Sequence, residues 1–285
     1  MQIYTRTPTL TAMTAAGLDY VSGGRFTLGI GASGPQVVEG FHGVPYDAPL
    51  GRTREVIAIC RQVWRREKLV FEGRHYRIPL PEGAGTGLGK PLRLINHPVR
   101  DRIPIMVAAI GPKNVALAAE LADAWEPLFF HPARAREVWG DSLASGQAAR
   151  APELGPLDVV VGMPMAVGDG VAELVENGRR QLAPYIGGMG ARGRNFYYDL
   201  ACRYGFADEA ATVQDLYLSG RKEAAAAAVP AALLHDTSLI GSVSQVKDKL
   251  AELAAAGATT LNLHPVQPEQ RDRLRSFELV RELTS

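Results

Sequence analysis

The chain has 285 residues, of which 46% are hydrophobic, and 31 basic residues nearly balance 30 acidic ones. A net charge of +1 gives no electrostatic footprint for nucleic acid or an anionic membrane surface. No apolar run reaches the roughly 18 residues of a membrane span, and no amino-terminal segment has the length of a signal peptide, so a cytoplasmic protein is expected.

In chain order, Gln2–Tyr4 reads as the end of a strand and Thr9–Val21 as a helix stopped by Ser22-Gly23-Gly24. Arg25–Ile30 is a strand that runs into Gly31, and 31–50 is rich in loops. Thr53–Arg66 carries Val56, Ile57, Cys60, Val63 and Trp64 on one helical face, and 69–78 has the pattern of a hairpin. Strands follow at Ile103–Ala109, Trp125–Phe130, Leu157–Val167 and Thr259–Leu263. Helices are read at Lys113–Ala122, Ala133–Ala149, Val171–Leu182, Val243–Ala256 and Glu269–Leu283. Strands thus alternate with helices, which predicts a parallel sheet with crossover helices. Strands near positions 3, 27, 106, 128, 161 and 261 make six βα units, where a closed barrel has eight.

Two strand ends carry the chemistry. Gly29, Gly31 and Gly34 fit G-x-G-x-x-G after a strand, but Pro35 and Gly40 follow too soon for a long helix. The pattern fits a dinucleotide turn, a glycine turn above a barrel strand, or a tight turn without a ligand. Ile110-Gly111-Pro112-Lys113-Asn114 opens a helix after an apolar strand. Gly111 permits close backbone approach, Pro112 suits the first helical position, and Lys113 either reaches a phosphate or is a solvated lysine. The basic loop Gly187–Arg194 is either a phosphate grip or a surface connection.

The histidines at 42, 75, 97, 131, 235 and 264 show no metal-ligand spacing, so no metal site is expected. Cys60 and Cys202 read as buried free thiols. His131 and His264 each follow a strand and either face a site or are ordinary loop histidines. No G-x-S-x-G elbow is present.

The segments SGGRFTLGIGASGPQVVEGFHGVPYDAPLGRTREVI, GTGLGKPLRLI, IPIMVAAIGPKNVALAAELADAWEPLFF and YIGGMGARGRNF together resemble the bacterial luciferase-like monooxygenase superfamily. More narrowly, they resemble its actinobacterial coenzyme F420-dependent oxidoreductases. The resemblance implies an α/β fold, a TIM-type (β/α)8 barrel here lacking about the first two βα units. It implies one domain over 1–285, with an insertion at about 66–100 and a helical excursion at about 184–230. It implies hydride transfer between the deazaflavin F420 and a small organic substrate. An FMN-dependent monooxygenase and a non-catalytic truncated barrel stand as alternatives.

By the same resemblance, the Ala32-Ser33 and Ile110-Gly111 turns contact the cofactor, and Lys113 and Asn114 lie beside its phosphate-bearing tail. Gln2 lies on the strand that backs the ring. Glu39 and His131 are the candidate catalytic residues near the substrate. Gly34 stands where the family's sugar-phosphate dehydrogenases carry a glutamate, which argues against that substrate. An incomplete barrel would expose sheet edges, so association or poor solubility of the chain alone is expected, and a homo-oligomer is the expected assembly.

Overall fold

Thr7 starts the first helix by accepting a hydrogen bond from the Leu10 backbone N–H, with Pro8 in the first turn where a missing N–H costs nothing. In the computed structural model, which describes residues 1–284, this helix is α1 (Pro8–Val21). Then come β1 (Leu28–Ile30), the single-turn α2 (Pro35–Val38), α3 (Pro49–Trp64), β2 (Phe71–Glu72), β3 (Arg77–Ile78), β4 (Ile105–Ala108), α4 (Pro112–Leu121) and β5 (Ala124–Glu126). The remainder is α5 (Ala135–Ala148), β6 (Asp158–Val167), α6 (Gly178–Gly188), α7 (Phe196–Arg203), α8 (Ala207–Leu218), α9 (Lys222–Ala227), α10 (Ala231–Asp236), β7 (Leu239–Gly241), α11 (Val243–Ala255), β8 (Thr260–Pro265) and α12 (Gln270–Thr284).

The chain forms two compact units. The first comprises Met1–Ala109, Lys113–Trp125 and Ser145–Leu157. Within it β1 and β4 pair in parallel, with Leu28 opposite Ile105 and Ile30 opposite Val107, and β5 neighbours β4. Gln2 adds a single parallel bridge to Gly31. Helices α1 and α3 pack together through Ala12, Ala15 and Ala16 on one side and Val56, Cys60 and Trp64 on the other, all buried. Trp64 Nε1 donates to the Ala12 carbonyl at 2.9 Å, so the indole is satisfied inside the contact. Burial pushes the Cys60 thiol up to about 12, which makes it a packing residue.

Asp123 fixes the start of β4. Its Oδ2 accepts from the Ile105 N–H at 2.9 Å, and Arg102 and Arg61 surround the carboxylate. Gly146 lets the end of α5 touch α4, because a Cβ there would lie 2.2 Å from the Ala116 carbonyl oxygen.

The second unit comprises Ile110–Pro112, Glu126–Ala144 and the chain from Asp158 onward. Here β6 is flanked by parallel β7 and β8, with Met165 opposite Leu239 and Gly162 opposite Asn262. One face of β6 is buried by Val161, Met163, Met165 and Val167, as a strand covered by helices requires. Ser276 of α12 accepts from the Val167 N–H at 3.0 Å. Ser242 and Gln245 close a capping box at the start of α11.

Three expectations change. The strand Leu239–Gly241 is absent from the sequence reading, because three residues are too few for a visible period, and its neighbours in the sheet are what make it a strand. The helix read over 171–182 begins as a 3-10 segment, Ala172–Asn177, and continues as α6 with Pro184 inside it. Cys202 is half-buried rather than buried. Among the described residues, no helix is long and apolar enough to cross a membrane.

Candidate functional site

In the first unit the parallel pairing of β1 and β4 brings the carboxyl ends of both strands to the same sheet edge. A Cβ on Gly31 would stand 3.6 Å from the Ala108 Cβ, so two small residues make this edge low and open to backbone approach. Gln2 lies beside Gly31, Ala32 is buried, and Ser33 is exposed. Ser33 has φ of 59°, a left-handed conformation that costs a non-glycine residue on the order of 1–3 kcal/mol.

The strained turn is held from one side. Tyr46 Oη donates to the Ser33 carbonyl at 3.2 Å, and the Tyr46 ring packs on Tyr4 at 5.2 Å. Tyr4 Oη donates to the Asp47 carbonyl at 2.7 Å, and Asp47 pairs with Arg52, whose guanidinium lies over the Tyr4 ring. Burial raises the pKa of both phenols, so these hydroxyls remain donors. Glu39 belongs to the same scaffold: its Oε1 accepts from the Tyr46 N–H at 3.1 Å, and the side chain is exposed.

Two acceptors in this unit are left without partners. Gln2 Oε1 and Asn114 Oδ1 are both buried, and neither has a hydrogen-bond partner among the described residues. An unmet buried acceptor costs about 1–3 kcal/mol, so each marks a place where a ligand's donor would be stabilising. Lys113, one residue earlier in the first turn of α4, is exposed.

In the second unit, the Ile110 carbonyl accepts from Trp139 Nε1 at 3.3 Å, and the Gly111 Cα faces the Phe196 ring, 3.7 Å from where a Cβ would stand. His131 is buried, 3.2 Å from Asp236 Oδ2 through Nε2, with its ring 5.2 Å from Tyr204. Its Nδ1 is buried without a partner. Tyr204 Oη donates to the Phe129 carbonyl at 2.8 Å, holding Phe129 at a φ of 54° just before the histidine. Glu39 and His131 therefore belong to different units.

Burial lowers the His131 pKa, the Asp236 carboxylate opposes the shift, and Lys249 and Arg134 add to it. The unfolded chain titrates this imidazole near 6.5, so between the lowered folded value and 6.5 the unfolded state binds the extra proton. Stability from this group is complete above about pH 6.5 and declines as the pH falls through that window. We expect urea unfolding between about pH 7 and 5 to show a steeper loss for the wild type than for His131→Asn. Parallel curves would remove the assignment.

The loop Gly187–Arg194 is explained by packing. Cβ atoms on Gly187 and Gly188 would each stand 2.4 Å from Tyr217 of α8, and Arg192 pairs with Asp215. Three further polar residues are placed by the fold: Asn195 next to that motif, Asp236, and Glu126 at the end of β5. Only Glu126, a charge ending an apolar strand, carried a visible signal.

The first unit thus presents a parallel β/α edge with a strained glycine-flanked turn and two orphaned acceptors. The luciferase-like monooxygenase profile matches residues 1–260. The chain belongs to that family of enzymes. It is 43% identical over 274 residues to a Mycobacterium tuberculosis protein that carries the name coenzyme F420-dependent oxidoreductase, covering 95% of this chain and 78% of the relative.

Among solved structures, the coenzyme F420-dependent tetrahydromethanopterin reductase of Methanopyrus kandleri aligns with TM-score 0.76 at 22% identity, covering 98% of this chain and 79% of that one. An F420-dependent secondary alcohol dehydrogenase aligns with TM-score 0.72 at 18% identity, over 100% of this chain and 78% of that one. These two establish the fold.

Proposed function

We propose that the protein is a coenzyme F420-dependent oxidoreductase acting on a small organic substrate. The observation that carries the reading is the pair of orphaned buried acceptors in the first unit, Gln2 Oε1 beside Gly31 and Asn114 Oδ1 in the first turn of α4. A deazaflavin offers pyrimidine N–H and side-chain hydroxyl donors, which are what such acceptors lack. Gln2, Ala32, Ser33, Lys113 and Asn114 would hold it. Gln2 and Asn114 accept from it, the Ala32-Ser33 backbone lets it approach, and the Lys113 ammonium faces its anionic tail.

When bound, the deazaflavin supplies the site that takes up or releases a hydride. The protein's part is to bind, orient and keep water away. The Tyr46–Ser33 hydrogen bond keeps the strained turn from relaxing when the site is empty, which lowers the ordering cost of binding.

The 43% identical relative supports F420 by its name, and fluorescence titration of the purified chain with F420, with FMN in parallel, tests it. We expect saturable quenching by F420 and none by FMN at matched concentration. Lys113→Ala is expected to raise the F420 dissociation constant about tenfold at low salt and by less at 0.5 M NaCl, since an exposed cation–phosphate contact is screened. Equal binding of FMN would replace the deazaflavin reading with a flavin one. An unchanged affinity in Lys113→Ala would remove that residue from the site.

A further inference from the structure

Within the second unit, the polar tips of two side chains approach a residue that has none. A Cβ built on Gly162, in the middle of β6, would stand 3.8 Å from His264 Nε2 of β8 and 3.9 Å from Glu126 Oε1 of β5. Gly162 is opposite Asn262 in the parallel register, so Asn262 and His264, two residues apart on β8, share that face.

The burial of the three residues differs in a telling way. Glu126 is half-buried, and its carboxylate makes no hydrogen bond or ion pair with any described residue. A carboxylate partly removed from water without a partner is unfavourable, and a ligand that donates to it relieves the cost. Asn262 and His264 are exposed, as is Thr260, so this face of β8 is open to solvent along its length.

We propose that Glu126, Asn262 and His264 form a binding site, floored by Gly162, for a small ligand that donates a hydrogen bond through a hydroxyl or an ammonium group. Glu126 is the acceptor for that donor. His264 and Asn262 each present either a donor or an acceptor to the rest of the ligand, and the missing Cβ at Gly162 provides the room. The site lies wholly in the second unit and does not depend on the identity of the cofactor.

The test is an NMR titration of the isotope-labelled full chain, following the Gly162 amide and the His264 imidazole. The probes are ethylene glycol and ethylammonium chloride, run separately, with sodium chloride as the control for ionic strength. Saturable shifts at both signals are expected with one of the probes, with a dissociation constant on the order of 1–10 mM for so small a ligand. Saturation by ethylammonium alone identifies a cationic donor, and by the glycol alone a hydroxyl.

Gly162→Ala places a methyl group at ordinary contact distances from its neighbours, so the variant folds while the floor is filled. It is expected to weaken binding at least tenfold, and Glu126→Leu, which has no acceptor, to do the same while leaving the floor open. Non-saturating shifts with both probes, or wild-type affinity in Glu126→Leu, would overturn the site. Because this site is read at Gly162 and His264 of the second unit and the F420 residues Gln2, Ala32, Ser33, Lys113 and Asn114 belong to the first, failure here leaves the F420 titration intact, and the reverse also holds.

Discussion

Replacing Arg100 by methionine is expected to cost about 3 kcal/mol, at the low end of the ~3–5 kcal/mol seen when one partner of a buried pair is removed. Asp19 is completely buried at the inner face of α1, with no side-chain exposure. Its carboxylate accepts from Arg100 Nε at 3.2 Å, from Arg100 Nη2, and from the Phe26 N–H at 3.3 Å. Arg100 Nη2 also donates to the Phe26 carbonyl at 2.7 Å, so the pair ties α1 to the approach of β1.

Removing the guanidinium leaves the charge with one backbone donor in an apolar surrounding. Because the Arg100 side chain retains 32% exposure, water reaches the vacated place, which is why the low end is expected. The measurement is the urea midpoint at unchanged slope. The double variant Asp19→Leu with Arg100→Met should recover much of the loss, since the penalty lies in the unpaired charge. A loss under about 1 kcal/mol in Arg100→Met would show that the carboxylate is not held by this arginine.

In the second unit the largest effect is expected at Asn195. This residue is 1% exposed and meets its full hydrogen-bonding capacity. Its Nδ2 donates to the carbonyls of Tyr185 and Ile186 in α6, each at 2.9 Å. Its Oδ1 accepts from the N–H groups of Tyr197 and Tyr198 at the start of α7, at 2.9 and 3.2 Å.

One side chain therefore serves two helices. Asn195→Ala loses an N-cap, at about 1 kcal/mol, and strands two carbonyls, at about 1–3 kcal/mol more. We expect a total of about 2–4 kcal/mol, read as a fall in thermal midpoint of the whole chain. Asn195→Asp keeps the cap and loses the donors, so it should fall between wild type and alanine. If aspartate and alanine melt together, the cap contributes nothing and the loss comes from α6 alone.

The same residue shows why the loop around it left two alternatives open. Read as sequence, Gly-Gly-Met-Gly-Ala-Arg-Gly-Arg-Asn offers glycine freedom and positive charge, the ingredients of an anion grip. In the fold, two of the glycines exist because Tyr217 leaves no room for a Cβ, one arginine is paired with Asp215, and the asparagine joins two helices. Each partner lies on another element, outside the reach of a local pattern.

What the sequence determined by itself was local and periodic. The apolar stripe from Val56 to Trp64 required a packed helix, and the apolar runs at 105–108 and 158–167 required covered strands. The glycines at 29 and 31 required a backbone turn after β1. Together with the alternation of strand and helix, these gave the α/β class, and the motif segments gave the family. The tertiary structure decided what depends on contacts between distant residues. It made a strand of Leu239–Gly241 through pairing with β6, gave Asp236 to His131, and brought Glu126 and His264 to one glycine. It also left Gln2 and Asn114 with buried, unmet oxygens. Burial and pairing are properties of neighbours in space, and a side chain's chemistry in the site follows from those neighbours rather than from its place in the chain.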